Sequence, residues 1–108
     1  MMIVAVTGCM MGIAHSHMAA AALKKIAEGR GFQIAVEVQG GIGISYELKP
    51  EDIEKADLVI IASDIKIKKE DRFAGKPVCK VKVAEAVKQP GRVLDKGLEL
   101  LNKWRKDK

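Results

Sequence analysis

Met2-Ile3-Val4-Ala5-Val6-Thr7-Gly8-Cys9-Met10-Met11-Gly12-Ile13-Ala14-His15-Ser16 decides how this 108-residue chain is read. The unbroken apolar run at residues 2–6 suits a strand buried on both faces of a parallel sheet, and the alanine-rich stretch at residues 18–27 is an amphipathic helix. Cys9 therefore lies in a strand-to-helix turn. A helix start presents unpaired backbone N–H groups and the positive end of the helix dipole, so it favours a thiolate and can cradle a phosphoryl group. The turn predicts a nucleophilic Cys9 in a phosphate-binding loop made by Met10, Met11, Gly12, Ile13, Ala14, His15 and Ser16.

Outward from the turn, the pattern alternates between strand and helix. Leu58-Val59-Ile60-Ile61-Ala62 is a second continuous apolar run and, like the first, reads as a central strand. Phe32, Ile34, Val36 and Val38 alternate with Gln33, Ala35 and Glu37, and Cys79, Val81 and Val83 alternate with Lys80 and Lys82, as half-exposed outer strands do. Helices are expected from about Ser16 to Glu28, stopped by Gly29 or Gly31, then from Pro50-Glu51-Asp52, and after Pro90-Gly91 with Leu94, Gly97, Leu98, Leu101 and Trp104 on one stripe. The expected fold is α/β: a three-layer sandwich with an open four-stranded parallel sheet of order 2-1-3-4, helices on both faces and right-handed connections. One domain is expected over residues 1–108, with a frayed, charged tail from about residue 103. In such a sheet the ligand crevice opens beyond the carboxyl ends of the strands where the winding reverses, here between the first and third. Cys9 follows the first strand and Ser63-Asp64 the third, so both arguments converge on one edge.

Composition narrows the function. Two cysteines are too few for a secreted disulfide framework and lack zinc-ligand spacing, and the alternation around Cys79 marks it as a packing residue. No apolar stretch approaches the roughly 20 residues of a membrane helix, so a soluble cytoplasmic protein without membrane insertion is expected. A net charge of +5 invites a nucleic-acid reading, but one Trp, one Tyr and two Phe make no stacking platform, and the basic surface better suits an acidic protein or a phosphate. Gly40-Gly41-Ile42-Gly43 lacks the complete dinucleotide-loop spacing and is expected to pack beside the cysteine turn. No cofactor and no metal are called for. Gln39, Gly40, Asp64, Lys66, Lys68 and Arg72 gather at the same sheet end as candidates for docking a partner.

The turn is similar to the phosphatase motif of Cys, five residues, Arg and then Ser or Thr, except that His15 stands in the sixth position after Cys9, followed by Ser16. His15 cannot supply the bidentate fork that stabilises a transferring phosphoryl group. A loop with amides and no guanidinium holds a phosphocysteine without driving its hydrolysis, which suits a carrier. A low-molecular-weight-type phosphatase and a regulatory or redox-sensing thiol module stay open as alternatives.

Cys-x-x-Gly-Ile-Ala-His-Ser at residues 9–16, Met-Ala-Ala at 18–20, Val-Glu-x-Gln-Gly-x-Ile-Gly at 36–43, Glu-Asp-Ile at 51–53 and Arg-Phe-x-Gly-Lys at 72–76 together resemble the enzyme IIB domain of the fructose-type sugar phosphotransferase system, nearly end to end. The resemblance implies that Cys9 takes a phosphoryl group from a phosphohistidine on enzyme IIA and donates it to a sugar held in the membrane by enzyme IIC. It implies a cytoplasmic protein brought to the membrane through enzyme IIC. Met10-Met11 stand where the family usually has Pro-Thr, so backbone amides must serve where a hydroxyl is usual.

Overall fold

The structure, a computed structural model, describes residues 1–9, 13–40 and 43–107. Its strands are β1 (Met2–Gly8), β2 (Gln33–Gly40), β3 (Gly43–Ser45), β4 (Leu58–Ser63) and β5 (Val78–Val81). Its helices are α1 (Ile13–Gly29), α2 (Pro50–Lys55), α3 (Val83–Lys88) and α4 (Pro90–Lys106), with a short 3₁₀ turn at Glu70–Phe73. The α/β class holds, but the expected four-stranded 2-1-3-4 parallel sheet does not: the sheet has five strands in the order β3-β2-β1-β4-β5. β1 pairs in parallel with β2 and β4, and β4 with β5, whereas β3 runs antiparallel to β2. The glycine-rich segment read as a loop doubles back on β2, with Gly40 opposite Gly43. Gly43 holds φ at +137°, a conformation open to glycine and strained for other residues.

Two more elements differ from the reading. β5 stops at Val81, and Val83 is the fully buried first residue of α3 instead of a strand residue. The lysine alternation imitates a strand up to that point. Beyond it, Val83, Ala86 and Val87 recur at helical spacing and pack into the core. α4 runs to Lys106, with Leu101 buried and Trp104 half-buried in its last turns.

The sheet carries a core on each face. On one, Ile3, Ala5, Leu58, Ile60 and Ala62 meet Ala19, Leu23 and Ala27 of α1, with Val83, Val93, Leu94 and Leu101 from α3 and α4. Gly97 lets α4 lie close, since a Cβ there would stand 2.9 Å from Leu58 Cδ2. On the other face Val4, Val6, Val59 and Ile61 pack against Leu48, Ile53, Ala56, Ile67 and Phe73. Three residues of the Arg-Phe-x-Gly-Lys motif build this second face: Phe73 fills it, Gly75 turns the chain at φ +83°, and Lys76 Nζ donates to the carbonyls of Glu54 and Ala56 at the end of α2.

Candidate functional site

Cys9 sits at the carboxyl end of the central strand, where three strand ends lie level: Gly8 is opposite Gln39 of β2 on one side and Ser63 of β4 on the other. The thiol is buried, 5% exposed, and packs with the core under α1. Thr7 Oγ1 donates to the Ser16 carbonyl at 3.0 Å, tying the strand end to the first turns of α1. Ser16 is itself buried, and its Oγ has no hydrogen-bond partner among the described residues. His15 is half-buried, Ala14 is exposed, and of Ile13 only the helical backbone is described. Met10, Met11 and Gly12 of the expected phosphate loop, and Gly41 and Ile42 of the glycine segment, lie outside the described residues. His17, next along α1, meets the exposed Tyr46 edge-to-face at 6.1 Å.

The segment after β4 folds back over this strand end. Asp64 N–H donates to the Gly8 carbonyl at 3.1 Å, while Ser63 Oγ donates to the Ile65 carbonyl and accepts from its N–H, closing a tight turn. A Cβ on Gly8 would stand 2.9 Å from Ser63 Oγ and 3.4 Å from Ile65 Cγ1, so only glycine lets the turn approach this closely. Of the six docking candidates, the side chains of Asp64, Lys66 and Lys68 are exposed at this edge and Gly40 is half-buried in β2. Asp64 Oδ1 also accepts the first N–H of α3, from Val83. Gln39 and Arg72 point inward. An open depression of about 740 Å³ among Lys66, Lys69, Phe73, Val78 and Lys80 lies on the second face and does not include Cys9.

Gln39 and Arg72 converge on Glu37, a fully buried carboxylate that the alternation had placed on an outward face. Glu37 accepts from Arg72 through both guanidinium Nη atoms, from Gln39 Nε2 at 2.8 Å and from the Leu48 N–H at 2.9 Å. Burial pushes its pKa up. Hydrogen bonds from Arg72, Gln39 and Leu48, with the Arg72 charge, outweigh that and hold the carboxyl below its ordinary value. The guanidinium also lies 4.8 Å from the Phe73 ring centroid. A signal was available in the sequence, since Glu37 falls in a quoted motif with Gln39, and Arg72 opens another.

Cys79 is the second buried cysteine. It is buried in β5, and burial raises its pKa, opposed in part by the Lys96 charge and reinforced by Glu85. A thiol held up in this way stays protonated and unreactive.

Comparison with known proteins places the fold in a family. The family described as "PTS system, Lactose/Cellobiose specific IIB subunit" matches residues 4–96. The "PTS system fructose-like EIIB component 2" of Escherichia coli (strain K12) is 47% identical over 94 residues, covering 87% of this chain and 89% of that protein. The "PTS system fructose-specific EIIB'BC component" of Rhodobacter capsulatus is 51% identical over 96 residues, 89% of this chain but 16% of that much longer protein. A solved domain of the fructose-specific IIABC component of Borrelia burgdorferi superimposes with a TM-score of 0.83 at 41% identity, covering 93% of this chain and 92% of that one. On these matches the chain belongs to the enzyme IIB family of the sugar phosphotransferase system, in its fructose type.

Proposed function

We propose that this domain relays phosphoryl groups through Cys9, from a phosphohistidine of enzyme IIA to a fructose-like sugar bound by enzyme IIC. In the first step the P–N bond breaks as a P–S bond forms. In the second the P–S bond breaks, a P–O bond to the sugar forms and the thiolate is regenerated, the proton lost by the sugar hydroxyl balancing the one taken up by the imidazole that left in the first step. The carrying observation is the placement of Cys9 between the end of β1 and the start of α1, in a chain of this family. Backbone amides of residues 10–16 would hold the phosphoryl oxygens, with the helix dipole behind them. Gly40, Asp64, Lys66 and Lys68 would form the docking rim, with Gln39 and Arg72 supporting it from beneath. The fused relatives, named as EIIB'BC and IIABC components, support partners of the IIA and IIC type and a working place at the membrane. No helix among the described residues is long and apolar enough to cross a membrane. Incubation with phosphoenolpyruvate, the general phosphotransferase proteins and enzyme IIA should add one phosphoryl mass to the Cys9 peptide; an unmodified Cys9 overturns the proposal.

Two variants refine it. Cys79→Ala should cost about 1 kcal/mol of stability, for a small core vacancy, and leave transfer intact. Loss of transfer in the folded variant would mean that the two thiols have been assigned the wrong way round. His15→Arg places a guanidinium at the phosphatase position, where it can stabilise the oxygens during attack by water. A thiolate leaves readily without an acid. The phosphorylated variant should therefore decay faster than wild type once the donor is removed, with only weak turnover of added phosphate esters; an equal or longer lifetime would show that exclusion of water protects the intermediate.

A further inference from the structure

The Gln39 side chain makes three hydrogen bonds, two of which lead away from its own strand. Its Oε1 accepts the Lys68 N–H at 2.7 Å, its Nε2 donates to the Lys68 carbonyl at 3.0 Å, and the same Nε2 donates to Glu37 Oε2 at 2.8 Å. The carboxylate accepts only, so it fixes which end of the amide carries the donors. The amide then clasps both polar groups of one residue in the segment that follows β4. Gln39 lies in β2 and Lys68 in the segment that follows β4, so the clasp ties that segment to a strand two places away from β4 in the sheet order, with β1 between the two strands. In β1, Gly8 is opposite Gln39 and carries no side chain. Asp64 N–H to Gly8 O and the Ser63–Ile65 turn secure the near end of the same segment, and Gln39 secures its far end. The residue after Gly8 is Cys9.

From this placement we infer that Gln39, oriented by the buried Glu37, is a positioning residue for phosphoryl transfer: it fixes the 64–68 segment against the strand end that carries Cys9. The inference rests on the carrier reading above. Gln39 is 3% exposed, so it meets neither donor nor sugar and acts through the segment it holds. In-line transfer requires donor, phosphorus and acceptor to be aligned, and a displacement of about 1 Å can cost on the order of a hundredfold in rate. A segment released at Lys68 keeps its exposed lysines, and with them most of the encounter with a partner, but loses its fixed relation to Cys9.

The test is single-turnover phosphorylation of Cys9 by the IIA domain of the Borrelia burgdorferi IIABC component, charged from phosphoenolpyruvate, at increasing donor concentration. Gln39→Met fills the buried slot without polar groups. Gln39→Asn keeps the amide but is one methylene too short to span to Lys68. Each should lower the maximal rate about tenfold while the donor concentration at half-maximal rate stays within about twofold. The Lys68 amide should exchange with solvent faster, and circular dichroism should confirm folding. If one variant does not fold, the other decides. A folded variant with the wild-type maximal rate, or one whose whole loss lies in donor affinity, overturns the positioning role. No label on wild-type Cys9 overturns the carrier reading itself, so the two failures are distinct.

Discussion

Cys9→Ser should fold as the wild-type protein does and lose phosphoryl relay by about a thousandfold or more, as removal of a lone nucleophile does in enzymes that depend on one. Serine is nearly isosteric with cysteine, but its hydroxyl is far less ionised at neutral pH and far less nucleophilic toward phosphorus. The structural cost is bounded by position. Cys9 is 5% exposed among core residues, so exchanging a thiol for a hydroxyl there costs about 1–3 kcal/mol if the new donor finds no partner. That loss shows as a lower melting temperature and does not by itself abolish a reaction in the remaining folded protein. The comparison is labelled phosphoryl transfer from enzyme IIA and onward to sugar in vesicles carrying enzyme IIC, for wild type, Cys9→Ser and Cys79→Ala, each checked for folding. Relay at the wild-type rate by folded Cys9→Ser would remove the covalent mechanism.

What was legible in the sequence was whatever a single physical requirement dictates. Residues 2–6 and 58–62 must exclude polar side chains because both faces of their strands are covered, and they form β1 and β4 at the centre of the sheet. Pro50 and Pro90 start α2 and α4 because a ring-locked φ and a missing N–H cost nothing in a first helical turn. The position of Cys9 followed from these elements alone.

The misread parts are those where two requirements compete. Val83 continues a strand alternation and also opens a helical one, and tertiary contact with the core decides for the helix. Gly40 and Gly43 look like a loop until the antiparallel pairing that joins them is known. The alternation in β2 reads as a half-exposed strand, which holds for Gln33 to Val36; it fails at Glu37, where a charged residue ordinarily marks the wet face. Here that face is covered by Leu48 and the 3₁₀ turn, and the charge is tolerated because four donor contacts converge on it. Such a pairing joins positions 35 residues apart, which periodicity within one strand cannot reveal.

Arg72→Met should destabilise the protein by about 3–5 kcal/mol at neutral pH, the cost of leaving a buried partner charge without its counterion. Glu37 would keep the donors from Gln39 and Leu48, but the guanidinium that supplies two hydrogen bonds and the opposite charge would be gone. The sign of the pH dependence should reverse. In wild type the folded-state pKa of Glu37 lies below its unfolded value, so its ionised form contributes stability above that unfolded value, about 4.3 for a free glutamate. That contribution is lost as pH falls through the lower, folded pKa. Burial is already the largest single influence on Glu37; with both Arg72 contributions gone it should outweigh the donors from Gln39 and Leu48, so that the folded pKa rises above the unfolded one and the carboxylate becomes more destabilising as pH rises. The stability gap between wild type and Arg72→Met should therefore be widest near pH 7 and narrow as the solution approaches about pH 4. Glu37→Met combined with Arg72→Met should recover much of the loss, because replacing a whole buried pair by apolar groups is often close to neutral. Urea denaturation of the three proteins at several pH values provides the measurement. A loss below about 1 kcal/mol at pH 7, or a gap that does not change with pH, would show that the pair holds β2 to the 3₁₀ turn more weakly than its burial implies.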